Sequence, residues 1–290
     1  MKPILKLGFT DYFQPLDTFF IEALSRDFTI IRDDENPDYL IFCDRNFGEQ
    51  NQKFNDRKVK KIFFTGENQR PWDYACHHYI GFDHIYDPNH YRLPLYVVDN
   101  WVYKSKGLPD VRDINRNALA STKEGFCSFV VRNPNCAERN NFFHKLSQYK
   151  QISSAGPLFN NMGPILENLD FHAGKLGYIS RYKFNLCYEN SSYPGYCTEK
   201  MFMALYSNTI PIYWGSPTAE LDFNGDAFIS RHNFDSDEDM IQYIIEVDSD
   251  DDLYNSIVQE PILAKRNRNF DVNRFVDWFK NVVYIGQINS

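Results

Sequence analysis

Short apolar runs alternate with amphipathic stretches along most of the chain. Ile4 to Phe9 reads as a strand and Leu16 to Leu24 as a helix. Phe28 to Ile31, Tyr39 to Cys43 and Ile62 to Phe64 read as further strands, the last running into Thr65-Gly66-Glu67. The polar stretch Lys104 to Gly125, with Gly107, Pro109 and scattered charges, reads as a linker. Beyond it, Phe126 to Val131, Gln151 to Ser153, Phe184 to Tyr188 and Ile210 to Trp214 read as strands. The intervening helices are predicted over Ala137 to Tyr149, Thr198 to Ser207, Asp237 to Val247 and Asp251 to Val258. Acidic residues in the first turns of the last two suit the helix dipole. Phe275, Trp278, Phe279 and Val282 fall at the i, i+3, i+4, i+7 spacing of one more amphipathic helix. Apolar strands buried on both faces and alternating with helices predict an α/β fold with parallel sheets. The chain divides into two Rossmann-like domains facing across a cleft, over residues 1–118 and 119–270. A C-terminal helix within 271–290 is free to pack back on the first.

Composition narrows the class. Of 290 residues, 43% are hydrophobic and 24% charged, which excludes a disordered or collagenous chain. The net charge of −8 lacks the basic field that general nucleic-acid binding requires. No apolar run approaches the roughly 20 residues of a membrane span, so no transmembrane segment is expected. Met1 to Thr10 has too short an apolar core for a signal peptide. A cytoplasmic protein is the expectation, with a peripheral position at a membrane as its variant; oligomeric state is left open. The six cysteines form no Cys-x-x-Cys pair and lie mostly in apolar stretches, which predicts buried free thiols. Cys76-His77-His78 offers metal-ligand types, but adjacent residues rarely face one ion and spacing supplies no third ligand.

The chemistry concentrates in residues 183–217, which read as strand, polar loop, helix and strand. Ligands of open α/β sheets bind at the carboxyl ends of strands. The loop Glu189 to Cys197 lies at such an end and leads into a helix N-terminus, with Thr198 as its candidate cap. The N–H groups and dipole there suit a phosphate. Lys200 breaks the usual preference for acids in a first turn, which makes sense if an anion sits beside it. Glu199 has the chemistry of a ribose-hydroxyl acceptor. The bland alternative is a capped helix with Glu199 and Lys200 in solvent.

This segment resembles the signature of the family 10 glycosyltransferases, the α1,3/4-fucosyltransferases, and most closely the bacterial members. The motif stands here as Glu189-Asn190, Tyr196-Cys197-Thr198-Glu199-Lys200 and Pro211-Ile212-Tyr213-Trp214-Gly215-Ser216-Pro217. Upstream, Asn133-Pro134-Asn135 with Arg139-Asn140 resembles the start of the family's donor domain. Thr65-Gly66-Glu67-Asn68, Ile80-Gly81-Phe82-Asp83 and Leu93-Pro94-Leu95-Tyr96 resemble its acceptor domain. The resemblance spans roughly residues 60–235.

What the resemblance implies is the GT-B arrangement of two Rossmann-like domains. The first would hold a glycan acceptor containing N-acetylglucosamine, and the second GDP-fucose. The implied reaction is inverting transfer of L-fucose to an N-acetylglucosamine hydroxyl, in α1,3 or α1,4 linkage, on an N-acetyllactosamine-type acceptor. The implied general base is Glu67, whose alternative is a loop glutamate paired with Arg70 or Arg92. The implied donor contacts are Arg139, Asn190, Tyr196, Glu199 and Lys200; the alternative for Arg139 is a surface helix arginine. No cofactor and no metal are expected beyond the donor substrate. Asp235-Ser236-Asp237 and Asp248-Ser249-Asp250 match the spacing of metal-binding Asp-x-Asp motifs, but both lie at predicted helix starts, where capping is the commoner use. Asn190-Ser191-Ser192 has the form of a glycosylation sequon and is read as coincidence. The alternatives of function are a related transferase using another nucleotide sugar, and a non-catalytic nucleotide-sugar-binding protein of the same fold. A dehydrogenase is not expected, since no Gly-x-Gly-x-x-Gly follows the first strand.

Overall fold

The structure is a computed structural model that describes residues 1–117, 119–164 and 171–284. The chain forms two compact units. The first combines residues 1–106 with 268–290, and the second is the continuous segment 107–267. The last six positions of the expected C-terminal helix region, 285–290, lie outside the described residues.

The first unit is built on a six-stranded, wholly parallel sheet. Its strands are β1 (Ile4–Thr10), β2 (Thr29–Arg32), β3 (Tyr39–Phe42), β4 (Lys60–Phe64), β5 (His78–Gly81) and β6 (His90–Arg92), in the order β2-β1-β3-β4-β5-β6. The middle strands are apolar on both faces: all of Tyr39–Phe42 and Lys61–Phe64 are buried. Helices α1 (Leu16–Leu24) and α2 (Leu95–Ser105) belong to the same unit. The C-terminal helix α8 (Val272–Trp278), which continues as a π-helical stretch Phe279–Tyr284, adds its rings to this core. Phe275 packs on Phe20 and Tyr91, with ring centroids 5.5 and 5.4 Å away, and Phe279 packs on Phe28 and Tyr39 at 5.8 and 5.7 Å.

The second unit has a five-stranded parallel sheet in the order β11-β10-β9-β7-β8. Its elements are β7 (Gly125–Phe129), α3 (Ala137–Leu146), β8 (Ile152–Ser154), α4 (Phe171–Ile179), β9 (Tyr182–Leu186), α5 (Glu199–Tyr206), β10 (Ile210–Tyr213), β11 (Ile229–Ser230), α6 (Asp237–Ser249) and α7 (Asp251–Val258). The chain winds outward in opposite directions from the neighbours β7 and β9. That places the topological switch point, where open α/β sheets bind ligands, at their carboxyl ends. The stretch read above as a linker, Lys104 to Gly125, is fastened to this unit at Pro109 and Arg116. Buried Arg116 donates to Leu205 O at 2.6 Å, and Pro109 O accepts from Tyr206 Oη at 2.6 Å. Among the described residues no helix is long and apolar enough to cross a membrane.

Because Phe275 is 1% exposed between four rings, Phe275→Ala should cost about 3–5 kcal/mol of stability. Urea unfolding measures it, and a loss below about 1 kcal/mol, far under the usual core value, would show that α8 is not part of the core.

Candidate functional site

The parallel ladder between β9 and β10 runs past the strand ends. Cys187 N donates to Ile212 O at 3.0 Å and Glu189 N to Trp214 O at 2.8 Å. That register delivers the Glu189 side chain to the first turn of α5, where it has no exposed surface. Its Oε1 accepts from Thr198 N at 2.7 Å, and its Oε2 accepts from Thr198 Oγ1 at 2.7 Å and Lys200 Nζ at 3.0 Å. Thr198 thus stands at the N-cap position without capping through its side chain; its hydroxyl is turned to Glu189 instead. The ammonium of Lys200 also donates to Thr198 Oγ1 at 3.0 Å and lies 3.5 Å from Glu199 Oε1. Glu199 and Lys200 are 21% and 15% exposed, so the alternative of two solvated side chains is overturned.

Two carboxylates therefore flank one ammonium, and their environments push them apart. Burial pushes the Glu189 carboxyl up, and the partial relief from Lys200 and Thr198 does not restore it. Burial also pushes Glu199 up, but there Lys200 and Lys175, with bonding from Thr198, outweigh it and bring the group down to about 2.

Arg139 meets the same structure from the other side. It lies in the first turn of α3 and is 0% exposed, so it is not a surface helix arginine. Its Nη1 donates to Asn190 Oδ1 at 2.8 Å and to the carbonyls of Glu189 and Tyr188 at 3.4 and 3.5 Å; Nη2 donates to Asn133 O. None of its partners among the described residues is a carboxylate, and Nε has no partner. Burial pulls the guanidinium below the usual arginine range. The Asn133-Pro134-Asn135 turn does not cap α3. Its N-cap is Cys136, without a side-chain bond, while Asn133 Oδ1 accepts from Asn135 N at 2.9 Å.

The loop 190–197 is stitched to the turn after β10. Ser192 Oγ donates to Gly215 O at 2.6 Å, and Gly195 N donates to Ser216 Oγ and Thr218 Oγ1, both at 2.9 Å. Gly195 has φ +86, which suits glycine there. Tyr196, expected to line this loop, is fully buried within it, and its carbonyl accepts from Tyr213 Oη at 3.3 Å. Arg139 with Asn190, and Glu199 with Lys200, are thus brought together as pairs, and Glu189 joins the two. Glu189 appears in the sequence motif, but motif reading assigned it no role. The signal that could have found it is an acid ending an apolar strand nine residues before a basic helix start.

Glu67 belongs to the first unit, just past β4. Thr65 Oγ1 accepts from Glu67 N and donates to Glu67 O, both at 3.0 Å, which folds the turn tightly. The Glu67 side chain is half-buried. Around it, Arg70 Nη2 donates to Asn68 Oδ1 at 2.7 Å, Arg70 Nε lies 3.8 Å from Asp83 Oδ1, and Arg92 Nε donates to Phe82 O at 2.8 Å.

Three of the four acids in the two Asp-x-Asp segments, Asp237, Asp248 and Asp250, are engaged in structure. Asp237 pairs with Arg231 and Lys145 at 2.7 and 2.9 Å, Ser236 and Asp250 cap α6 and α7, and Asp248 pairs with Lys150 and Lys183. Among the described residues no group of three or more His, Cys, Asp or Glu is arranged to hold a metal ion.

Comparison with known proteins places both units. The family model described as Glycosyltransferase family 10 (fucosyltransferase) C-term matches residues 120–260, and that of the Alpha-(1,3)-fucosyltransferase FucT N-terminal domain matches residues 5–99. An Alpha-(1,3)-fucosyltransferase FucT of Helicobacter pylori is 31% identical over 265 residues, taking in 78% of this chain and 53% of its own length. The chain therefore spans about half the length of that relative. A crystal structure of an alpha1,3-fucosyltransferase with GDP is 27% identical, with TM-score 0.77 over 97% of this chain and 91% of that one. A crystal structure of an alpha1,3-fucosyltransferase with GDP-fucose, also 27% identical, has TM-score 0.77 over 98% and 91%.

Gly215 lets the strand end approach the buried acid: a Cβ there would fall 2.5 Å from Glu189 Cγ and 2.6 Å from Tyr213 Oη. Gly215→Ala should therefore destabilise the protein by about 1–3 kcal/mol, read as a lower urea midpoint. A variant as stable as its parent would mean the turn moves aside freely.

Proposed function

The chain belongs to glycosyltransferase family 10, and on that premise we propose that it transfers L-fucose from GDP-fucose to an N-acetylglucosamine hydroxyl of an N-acetyllactosamine-type acceptor, with α1,3 or α1,4 linkage. The observation that carries this reading is the charge arrangement at the start of α5, on the carboxyl side of the sheet's switch point. It offers a cation held in place, a helix N-terminus and a half-exposed carboxylate, the groups that a nucleoside diphosphate requires. Lys200 and Arg139 meet the diphosphate, with Arg139 Nε the N–H still to be satisfied in the described structure. Glu199, kept ionised by its lysine neighbours, accepts the ribose hydroxyls. Asn190 and Tyr196 hold the loop over the donor.

In this proposal the reaction inverts the anomeric carbon. The acceptor oxygen forms a bond to C1 as the bond from C1 to the β-phosphate oxygen breaks, and the bonding pair leaves with GDP. The transition state has oxocarbenium character, as in glycoside hydrolysis. Lys200, Arg139 and the N–H groups of α5 stabilise charge on the departing diphosphate. The carboxylate of Glu67 takes the acceptor's proton. The chemistry needs no metal, and activity should survive chelation. All six cysteines are free and five are buried, which suits a reducing compartment, and we place the reaction in the cytoplasm.

GDP should stabilise the protein against thermal unfolding by about 2.7 kcal/mol at a hundredfold excess over Kd, and UDP much less. Equal shifts from both nucleotides would overturn the donor assignment. Glu67→Ala should lower kcat for fucosyl transfer by about 10²–10⁴-fold while leaving GDP affinity almost unchanged. If turnover falls less than about tenfold, short of what a base supplies, another group accepts the proton.

A further inference from the structure

We propose that Glu189 is the positioning residue of the donor site: it holds Lys200 and the first turn of α5 in the geometry that receives the diphosphate, without touching the ligand. The inference rests on the donor reading above and adds a residue to it.

The argument starts from depth. Glu189 has no exposed surface, Lys200 is 15% exposed and Glu199 21%, so the three charges run from the interior outward as carboxylate, ammonium, carboxylate. The ammonium is bonded from below, at 3.0 Å to Glu189 Oε2 and 3.0 Å to Thr198 Oγ1. A lysine side chain carries about 2 kcal/mol of rotamer entropy, and a buried partner meets that ordering cost before any ligand arrives. Glu199 is the other carboxylate beside Lys200 among the described residues, at 3.5 Å. Without Glu189 the ammonium would swing onto the group assigned to the ribose, and both contacts would suffer. Glu189 also touches the other half of the site, since its carbonyl accepts from Arg139 Nη1 at 3.4 Å. One residue thereby contacts both cations.

A carboxylate that merely capped α5 would behave differently. Glutamine retains an acceptor for Thr198 N but turns an amide donor toward Lys200, so Glu189→Gln separates the two roles. A double-mutant cycle reads the difference, because residues that act through one another are non-additive. GDP is titrated calorimetrically into the full chain as wild type, Glu189→Gln, Lys200→Met and the double variant. Glu189→Gln should weaken GDP about tenfold or more in the wild-type background, the scale of a charge-assisted contact. In the Lys200→Met background the further loss should be less than about twofold, within the range of additivity error. An unchanged affinity in Glu189→Gln, or the same loss in both backgrounds, overturns the positioning role alone. A wild-type chain that does not bind GDP overturns the donor reading, and this inference with it. If Glu189→Gln does not fold, Glu189→Asp enters the same cycle: it keeps the charge but withdraws it from Lys200, with the same expected and overturning outcomes.

Discussion

A carboxylate with no access to water has to be satisfied entirely by its neighbours. At the end of β9 this demand organises the upper edge of the second unit. Burying an unpaired carboxylate is prohibitive, and removing one partner of a buried pair typically costs several kcal/mol. Glu189 therefore dictates what stands around it. Residue 198 supplies both a backbone and a hydroxyl donor, a cation must reach in from the next turn, and the facing turn must carry a glycine. The loop between the strand and α5 is left with few conformations, because its ends are pinned by that acid and its middle by Ser216 and Thr218. A ligand meeting this surface finds its charges already placed.

Both units carry acids and cations together at the carboxyl edges of their sheets. In the second, the ammonium of Lys200 lies between the carboxylates of Glu189 and Glu199. In the first, Asp44 and Asp83 are buried and pushed up by that burial, and Arg70 lies 3.8 Å from Asp83.

The strands that declared themselves in the sequence carry apolar runs; Tyr39–Phe42 and Ile210–Tyr213 are buried on both faces, while Thr29–Arg32 at the sheet edge is largely exposed. Those that escaped notice were the two-residue β11 and, in the first unit, β5 and β6, where His78, Tyr79, His90 and Arg92 give no apolar run. The latter two become strands because β4 pairs with β5 and β5 with β6. Helix α2 escaped because Tyr96, Val97, Val98, Trp101 and Val102 favour strands locally; burial of one face decides otherwise. In the site, the neighbours Glu199 and Lys200 and the separate Arg139 and Asn190 were legible through a motif. The hub was not. Glu189 gains its place from a ladder register with Trp214, which leaves no local pattern, and from a contact nine residues away, whose trace is an acid at a strand end ahead of a basic helix start. The burial of Arg139 was equally hidden, since a first-turn arginine on a polar helix reads as surface.

The first unit is made of two pieces of chain with the whole second unit between them. During synthesis Phe20, Phe28 and Tyr39 emerge before the second unit, while the rings that cover them, Phe275 and Phe279, are made after it. The second unit is continuous and can collapse as soon as residue 267 clears the ribosome, consistent with domains folding as units in the order they are made. The sheet of the first unit is thus translated before the second unit and sealed after it. For that interval it exposes an aromatic face, which a nascent-chain chaperone or a neighbouring nascent chain could occupy before α8 arrives.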